Sequence, residues 1–294
     1  MANLRAIRKR ISSVKSTQQI TRAMKMVSAA KLRRAQDAII AARPYAKKLR
    51  DVTMSTVGKV GPSDNPFLAT REVKRIALLV VTSDRGLCGS FNAGLTRSVL
   101  RYVAEQREKY EEIVLFVIGR KGRDFFRRRG LPISKEYLGV LGTLNEGRHV
   151  ETIAADLVQG YLNEEFDEVQ VAYNEFRSAI SQVIRIEKLF PFVSNEQRAD
   201  ESVVADAEDD RHFEPSKKGI LDMLLPKYVR AQIYRVLLES IAGEFGARMT
   251  AMDSATNNSA DMISRLTLQM NRARQATITT ELTEIVSGAE ALKG

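Results

Sequence analysis

Tryptophan is absent from this chain, aromatic residues supply only 6%, and just two histidines and one cysteine occur among 294 residues. Each scarcity excludes something. A single Cys88 rules out an intramolecular disulfide and makes a reducing compartment the default. His149, His212 and one thiol cannot build a zinc site by themselves. The run "AEDD" could attract a divalent cation, but it lacks the glycine-turned spacing of a calcium loop. No run of about 18 apolar residues exists to cross a membrane. Aromatics are the large core fillers, so a chain this poor in them has less compact core than its length permits. Long exposed helices have that effect. Hydrophobic residues still make up 44%, which excludes disorder throughout.

Charge is present but unevenly spread. The net charge is +10, yet residues 1–50 hold 14 Lys and Arg against a single Asp37, a local excess of +13 that leaves −3 for the rest. Basic blocks of this kind meet nucleic acid, anionic lipid or an acidic protein surface, or are simply a solvated helix face. A coiled-coil nucleic-acid binder is one reading, and the absence of interleaved aromatics for base stacking counts against it.

Breakers are also missing at both ends. From Leu4 to Val57 the only proline is Pro44, and no glycine precedes Gly58. Leu4, Ile7, Ile11 and Val14 follow the 3-4-3 spacing of a coiled-coil seam. Beyond them Ile20, Met24 and Val27 predict a shifted stripe, thinned out by Ala29, Ala30 and Ala35. The C-terminal part, from about Lys218 to Leu292, contains only Pro226 and opens with the stripe Ile233, Val236, Leu237, Ile241. Ala, Ser and Thr then take many places where large apolar residues would sit. Some 75 helical residues would reach on the order of 110 Å. Two such helices at opposite ends of one chain most simply pair as an antiparallel coiled coil.

The middle of the chain has another character. "RIALLVV", "EIVLFVIG" and "EVQVAYNEF" read as strands, and "ISQVIRIEKLFPFV" adds a further one. Helical stretches are expected at 93–109, 120–129 and 146–165. Alternating β and α implies a parallel-rich sheet flanked by helices. Residues 196–214 hold eight acidic residues against Arg198 and Arg211 and read as a mobile loop. The predicted fold class is therefore α/β: a Rossmann-like domain at 58–217 inserted between shaft helices at 1–57 and 218–294.

The stretch "SDRGLCGSFN" at 83–92 has the outline of a phosphate loop or a reactive thiol at a strand end. Its glycines, Gly86, Gly89 and Gly94, have the wrong spacing for a dinucleotide fingerprint, and the Gly-Lys-Ser/Thr of a P-loop is missing. Cys88 has no evident base. A structural turn with Cys88 as a small buried filler fits better than an α/β thiol enzyme.

Four segments together carry a resemblance. "RKRISSVKSTQQITRAMKMVSAAKLRRAQ" at 8–36, "SDRGLCGSFN" at 83–92, "ARMTAMDSATNN" at 247–258 and "RQATITTELTEIVSGAEAL" at 274–292 resemble, in order and end to end, the motifs of the γ subunit of F-type ATP synthase, bacterial type. The resemblance implies a non-catalytic central rotor shaft of the proton-translocating complex, with no cofactor of its own. Its coiled coil would enter a hexameric ring of α and β subunits, and its α/β foot would bind the ε subunit and stand on the c-ring. Turning with the c-ring, it would drive the catalytic sites of the ring through different affinities. The acidic segment and the domain edge near Phe190 to Phe213 would face the c-ring or ε. The basic N-terminal helix then meets an acidic protein surface rather than nucleic acid.

The same resemblance implies where the ring is touched. Met24 and Lys25 in "AMKM" would pass the acidic lever of the catalytic subunits. Arg248, Arg274, Gln275, Thr279 and Glu281 would contact the ring, with "RQATIT" meeting a β-subunit loop high in the sleeve. Gln275 and Thr279 lie four apart and so share a helix face. Chloroplast relatives carry an inserted cysteine-containing segment and mitochondrial precursors a longer start. The expectation is a bacterial subunit, peripheral on the cytoplasmic face of the inner membrane.

Overall fold

The computed structural model describes residues 2–57, 65–69, 71–142, 148–192 and 216–291. The acidic segment 196–214 lies outside them. In chain order the elements are α1 (Ala2–Val57), β1 (Arg75–Val81), α2 (Phe91–Gln106), β2 (Glu112–Ile118), α3 (Arg120–Arg127), β3 (Ile133–Tyr137), α4 (Arg148–Leu162), β4 (Glu168–Phe176), β5 (Gln182–Phe190) and α5 (Lys217–Ala291). The chain divides into two units, one of Met1–Ala30 with Arg248–Gly294 and one of Lys31–Ala247.

The first unit is an antiparallel helix pair. Thr21 and Thr256 share a hydrogen bond of 2.8 Å, and Lys25 Nζ donates to Asp253 Oδ1 at 2.6 Å, so the chain numbers run in opposite directions across the seam. One row of less exposed positions on α1 is Leu4, Ile7, Ile11, Val14, Gln18, Thr21, Lys25 and Ser28, an unbroken 3-4 repeat, with Met24 and Ala29 half-buried beside it. On α5 the matching row is Met252, Thr256, Ser259, Ile263, Leu266, Met270, Ala273 and Thr277. This corrects the expected drift. Ile20 is 60% and Val27 56% exposed, so neither belongs to the seam, whereas Ser28 is 2% exposed. Short hydroxyls can fill seam positions because each satisfies itself locally, as Ser28 Oγ does by donating to Met24 O at 2.7 Å. Reading apolar identity alone shifts the stripe to the wrong face.

The second unit is an α/β layer structure. β1 is a continuous apolar run because it is central and buried on both faces. The sheet order is β3-β2-β1-β4-β5, parallel throughout except for β5, which runs antiparallel to β4. On one face Ile76, Leu78 and Val80 pack with Leu95, Val99 and Val103 of α2 and with Phe126 of α3. On the other, Tyr161 of α4 meets Phe190 of β5 with ring centroids 5.1 Å apart. The predicted strands at 75–81, 112–119 and 168–176 are present, whereas β3, a short polar edge strand, was not expected. The same unit contains the heptad continuation of α1, with Leu32, Ala35, Leu49, Thr53 and Thr56 buried.

Candidate partner-binding surface

The "SDRGLCGSFN" turn is braced by its own side chains. Asn92 Oδ1 accepts from Ser83 N at 2.9 Å, Asn92 Nδ2 donates to Ser83 Oγ at 2.7 Å, and Ser83 Oγ donates to Arg85 O at 2.7 Å. Cys88 lies beneath at 2% exposure, with Asn92 Nδ2 3.2 Å from its sulfur. The N-terminus of α3, where a phosphate would bind, already holds an anion. Asp84 Oδ1 accepts from Arg120 N at 3.2 Å while its Oδ2 accepts from Gly139 N at 3.1 Å.

An open α/β sheet takes ligands where its strand order reverses, here between the C-terminal ends of β1 and β4. α5 and the β4–β5 turn fill that crevice. A Cβ on Gly243 would stand 3.2 Å from the Phe91 ring, and one on Gly246 would stand 3.1 Å from Ala179 O. Asn174 Nδ2 donates to Phe91 O at 3.3 Å beneath them. The glycines are there to let the helix backbone come this close. What the motif builds is a packed helix–sheet joint.

The partner candidates lie elsewhere, and the structure separates them into three sets. Met24 is half-buried and Lys25 is engaged with Asp253, both side chains of that pair remaining close to half exposed (43% and 46%). Arg248 is buried, at 7% exposure, which leaves little of it for another chain to touch. Arg274, Gln275, Thr279 and Glu281 are all exposed, and Thr279 Oγ1 donates to Gln275 O at 3.0 Å. These four and the pair at 24–25 occupy separate stretches of the first unit.

Sequence reasoning missed the apolar part of this surface. From Ile278 to Ala291 every residue of α5 is exposed, including Ile278 (47%), Leu282 (57%), Ile285 (68%) and Val286 (62%). Their spacing of four, three and one puts them on one helix face. That periodicity is present in the sequence, directly after the polar "RQATIT". On α1 the residues mistaken for seam, Ile20 and Val27, are joined by Met26 at 61% as exposed neighbours of Met24 and Lys25. Asp253 was not singled out because nothing in the sequence shows which cation it faces.

Comparison with known proteins adds to this geometry. A family described as ATP synthase matches residues 3–292. A protein of Geobacter named ATP synthase gamma chain is 51% identical over 295 residues, covering 100% of both chains. The chain belongs to the ATP synthase gamma chain family. A further relative of that name, from Pelotomaculum thermopropionicum, is 48% identical over 293 residues with 100% of each chain covered. Among solved structures, a chain of the Euglena gracilis mitochondrial ATP synthase assembly of OSCP, F1 and c-ring gives a TM-score of 0.69 at 19% identity, covering 99% of this chain and 95% of that one. A chain of the Tetrahymena thermophila central stalk and c-ring gives 0.61 at 24%, over 80% of this chain and 99% of that one. These distant likenesses speak for a shared fold, and the membership rests on the sequence. No helix among the described residues is long and apolar enough to cross a membrane.

Proposed function

We propose that this chain is the central rotor shaft of an F-type ATP synthase, itself non-catalytic. In this reading residues 1–57 and 218–294 form the shaft and 58–217 the foot. The shaft enters a ring of α and β subunits, and the foot meets ε and the c-ring. The chain would be held peripherally at the cytoplasmic face of a bacterial inner membrane by those partners.

The observation that carries this reading is the bare end of α5. An isolated helix in water is marginal, and an exposed apolar row on one face marks a surface meant for a partner. Ile278, Leu282 and Ile285 have no cover from the rest of the described chain. A surrounding sleeve supplies it. The small exposed side chains Ala276, Thr279 and Thr280 suit the same role, because a shaft that passes successive copies of a sleeve must not interlock deeply with any one. A single deep fit would bias the equilibrium toward one rotary position.

Affinity purification of the chain from its native membranes tests the assignment. The shaft reading requires α and β subunits in a multiple of this chain, with ATP hydrolysis carried by them. Recovery of the chain without those subunits would reject it.

A further inference from the structure

The rotor reading requires torque received by the α/β domain to leave it along α5, so some contact must keep that helix from shearing along the sheet. Within Lys31–Ala247, α5 crosses β4 and β5 on the face that also carries α4. A cleft of about 780 Å³ opens there between α1 near Ala42, the end of β4 at Glu175 and Phe176, and α5 at Tyr234 and Leu238. Beside this cleft stands Arg235.

Its guanidinium bonds in four directions. Nη1 donates to Tyr173 Oη on β4 at 3.0 Å and to Glu239 Oε1 at 3.0 Å. Nη2 donates to Glu187 Oε1 on β5, and Nε donates to Gln232 Oε1 at 2.9 Å. Gln232 and Glu239, one turn to either side on α5, fix the orientation of the fork, while Tyr173 and Glu187 tie it to two strands. Tyr173 is itself 1% exposed, so this end of the clamp cannot swing. Apolar contacts tolerate sliding because they are non-directional, whereas charge-assisted bonds lose strength steeply with misalignment.

We propose that Arg235 is a positioning residue that clamps α5 to β4 and β5, so that torque on the α/β domain turns the helix instead of slipping past it. This rests on the shaft reading above. Loss of one such partly exposed bond raises the population of a parted joint a few-fold, and a parted joint hydrolyses ATP without moving ions.

The test is ion pumping per ATP hydrolysed in membrane vesicles bearing the whole complex, with the amount of assembled complex quantified. Four variants are compared: Arg235→Ala, Arg235→Lys, Glu187→Gln and Lys135→Ala. The last removes a comparable ion pair, Lys135 to Asp156 at 2.7 Å, that does not involve α5. The expected result is a lowered pumping ratio for Arg235→Ala, a smaller loss for Glu187→Gln and partial rescue by Arg235→Lys, with Lys135→Ala unchanged. If Arg235→Ala does not assemble, Glu187→Gln decides alone. A full pumping ratio in an assembled Arg235 or Glu187 variant overturns the clamp, as does an equal loss in Lys135→Ala. Failure of the unaltered chain to support pumping at all overturns the shaft reading itself, and the clamp with it.

Discussion

Lys25 Nζ lies 2.6 Å from Asp253 Oδ1, across the antiparallel seam, in a pair whose side chains both remain close to half exposed. The cation that the family resemblance assigns to a partner's acidic lever is thus already matched within the chain. A pair this exposed contributes about 0.2–1 kcal/mol, so it sets the register weakly and can be shared with a passing carboxylate. Met24→Lys places a second cation beside it with no acid of its own. Assembly is expected to be near normal, while ion pumping per ATP hydrolysed falls because one rotary position gains an additional ion pair. Unchanged pumping per ATP would show that position 24 does not meet an acidic surface.

Arg274 and Gln275 are exposed and carry no seam role. Replacing both by Ala should lower ATP turnover of the reconstituted α–β–γ complex and leave helix content as it was. A charged hydrogen bond to a partner is worth roughly 1.5–3 kcal/mol, enough to bias one rotary position without locking it. Steady-state turnover and circular dichroism are the two readings. Turnover equal to wild type would reject the contact, and lost helicity would mean these residues belong to the seam.

Much of this arrangement is legible in the sequence. β1 and β2 declare themselves as continuous apolar runs, since a central strand is buried on both faces, and β4 does so by its alternating Val169, Val171 and Tyr173. β3 does not. "ISKEY" is five residues at a sheet edge, with Lys135 and Glu136 pointing to solvent or to ion pairs, and edge strands are commonly short and charged. The helix pair is legible too, and so are its first seam positions, Leu4, Ile7, Ile11 and Val14; the rest of the seam is not, because Thr21, Lys25 and Ser28 occupy places where pattern reading demands hydrocarbon. Of the contact candidates, Arg248 looked like a surface cation and is buried, a tertiary fact that no local pattern encodes. The apolar row at the end of α5 was readable from its spacing alone.

That row supports a third prediction. Leu282→Ser with Ile285→Ser should leave the melting temperature of the free chain nearly unchanged, because surface substitutions stay within about 0.5 kcal/mol. In the complex each side chain is expected to be covered, and full burial of a Leu or Ile is worth about 1.5–3 kcal/mol. The double variant should therefore dissociate more readily from α and β, read as the fraction co-eluting with them on dilution. Equal retention of variant and wild type would place the row outside the sleeve.

Glu239 supports a prediction about pH. Burial holds its carboxyl above the usual carboxylate range, against the pull of the Arg235 guanidinium. Its Oε1 accepts from Arg235, while Oε2 is buried without a hydrogen-bond partner among the described residues. A carboxyl whose folded pKa is raised binds its proton more tightly in the folded state. Its stabilising contribution is therefore complete below the unfolded value, near 4.3, and is lost as pH rises through the raised folded value. Glu239→Gln keeps an oxygen acceptor for Arg235 and removes the ionisation. The variant should melt higher than wild type at pH 8, with the difference shrinking as pH falls toward the unfolded carboxylate value. Melting curves of the purified chain across that window read the sign directly. A difference that grows toward acid, or a variant less stable at pH 8, would mean that the Arg235 pairing outweighs burial and that Glu239 strengthens the joint as a carboxylate.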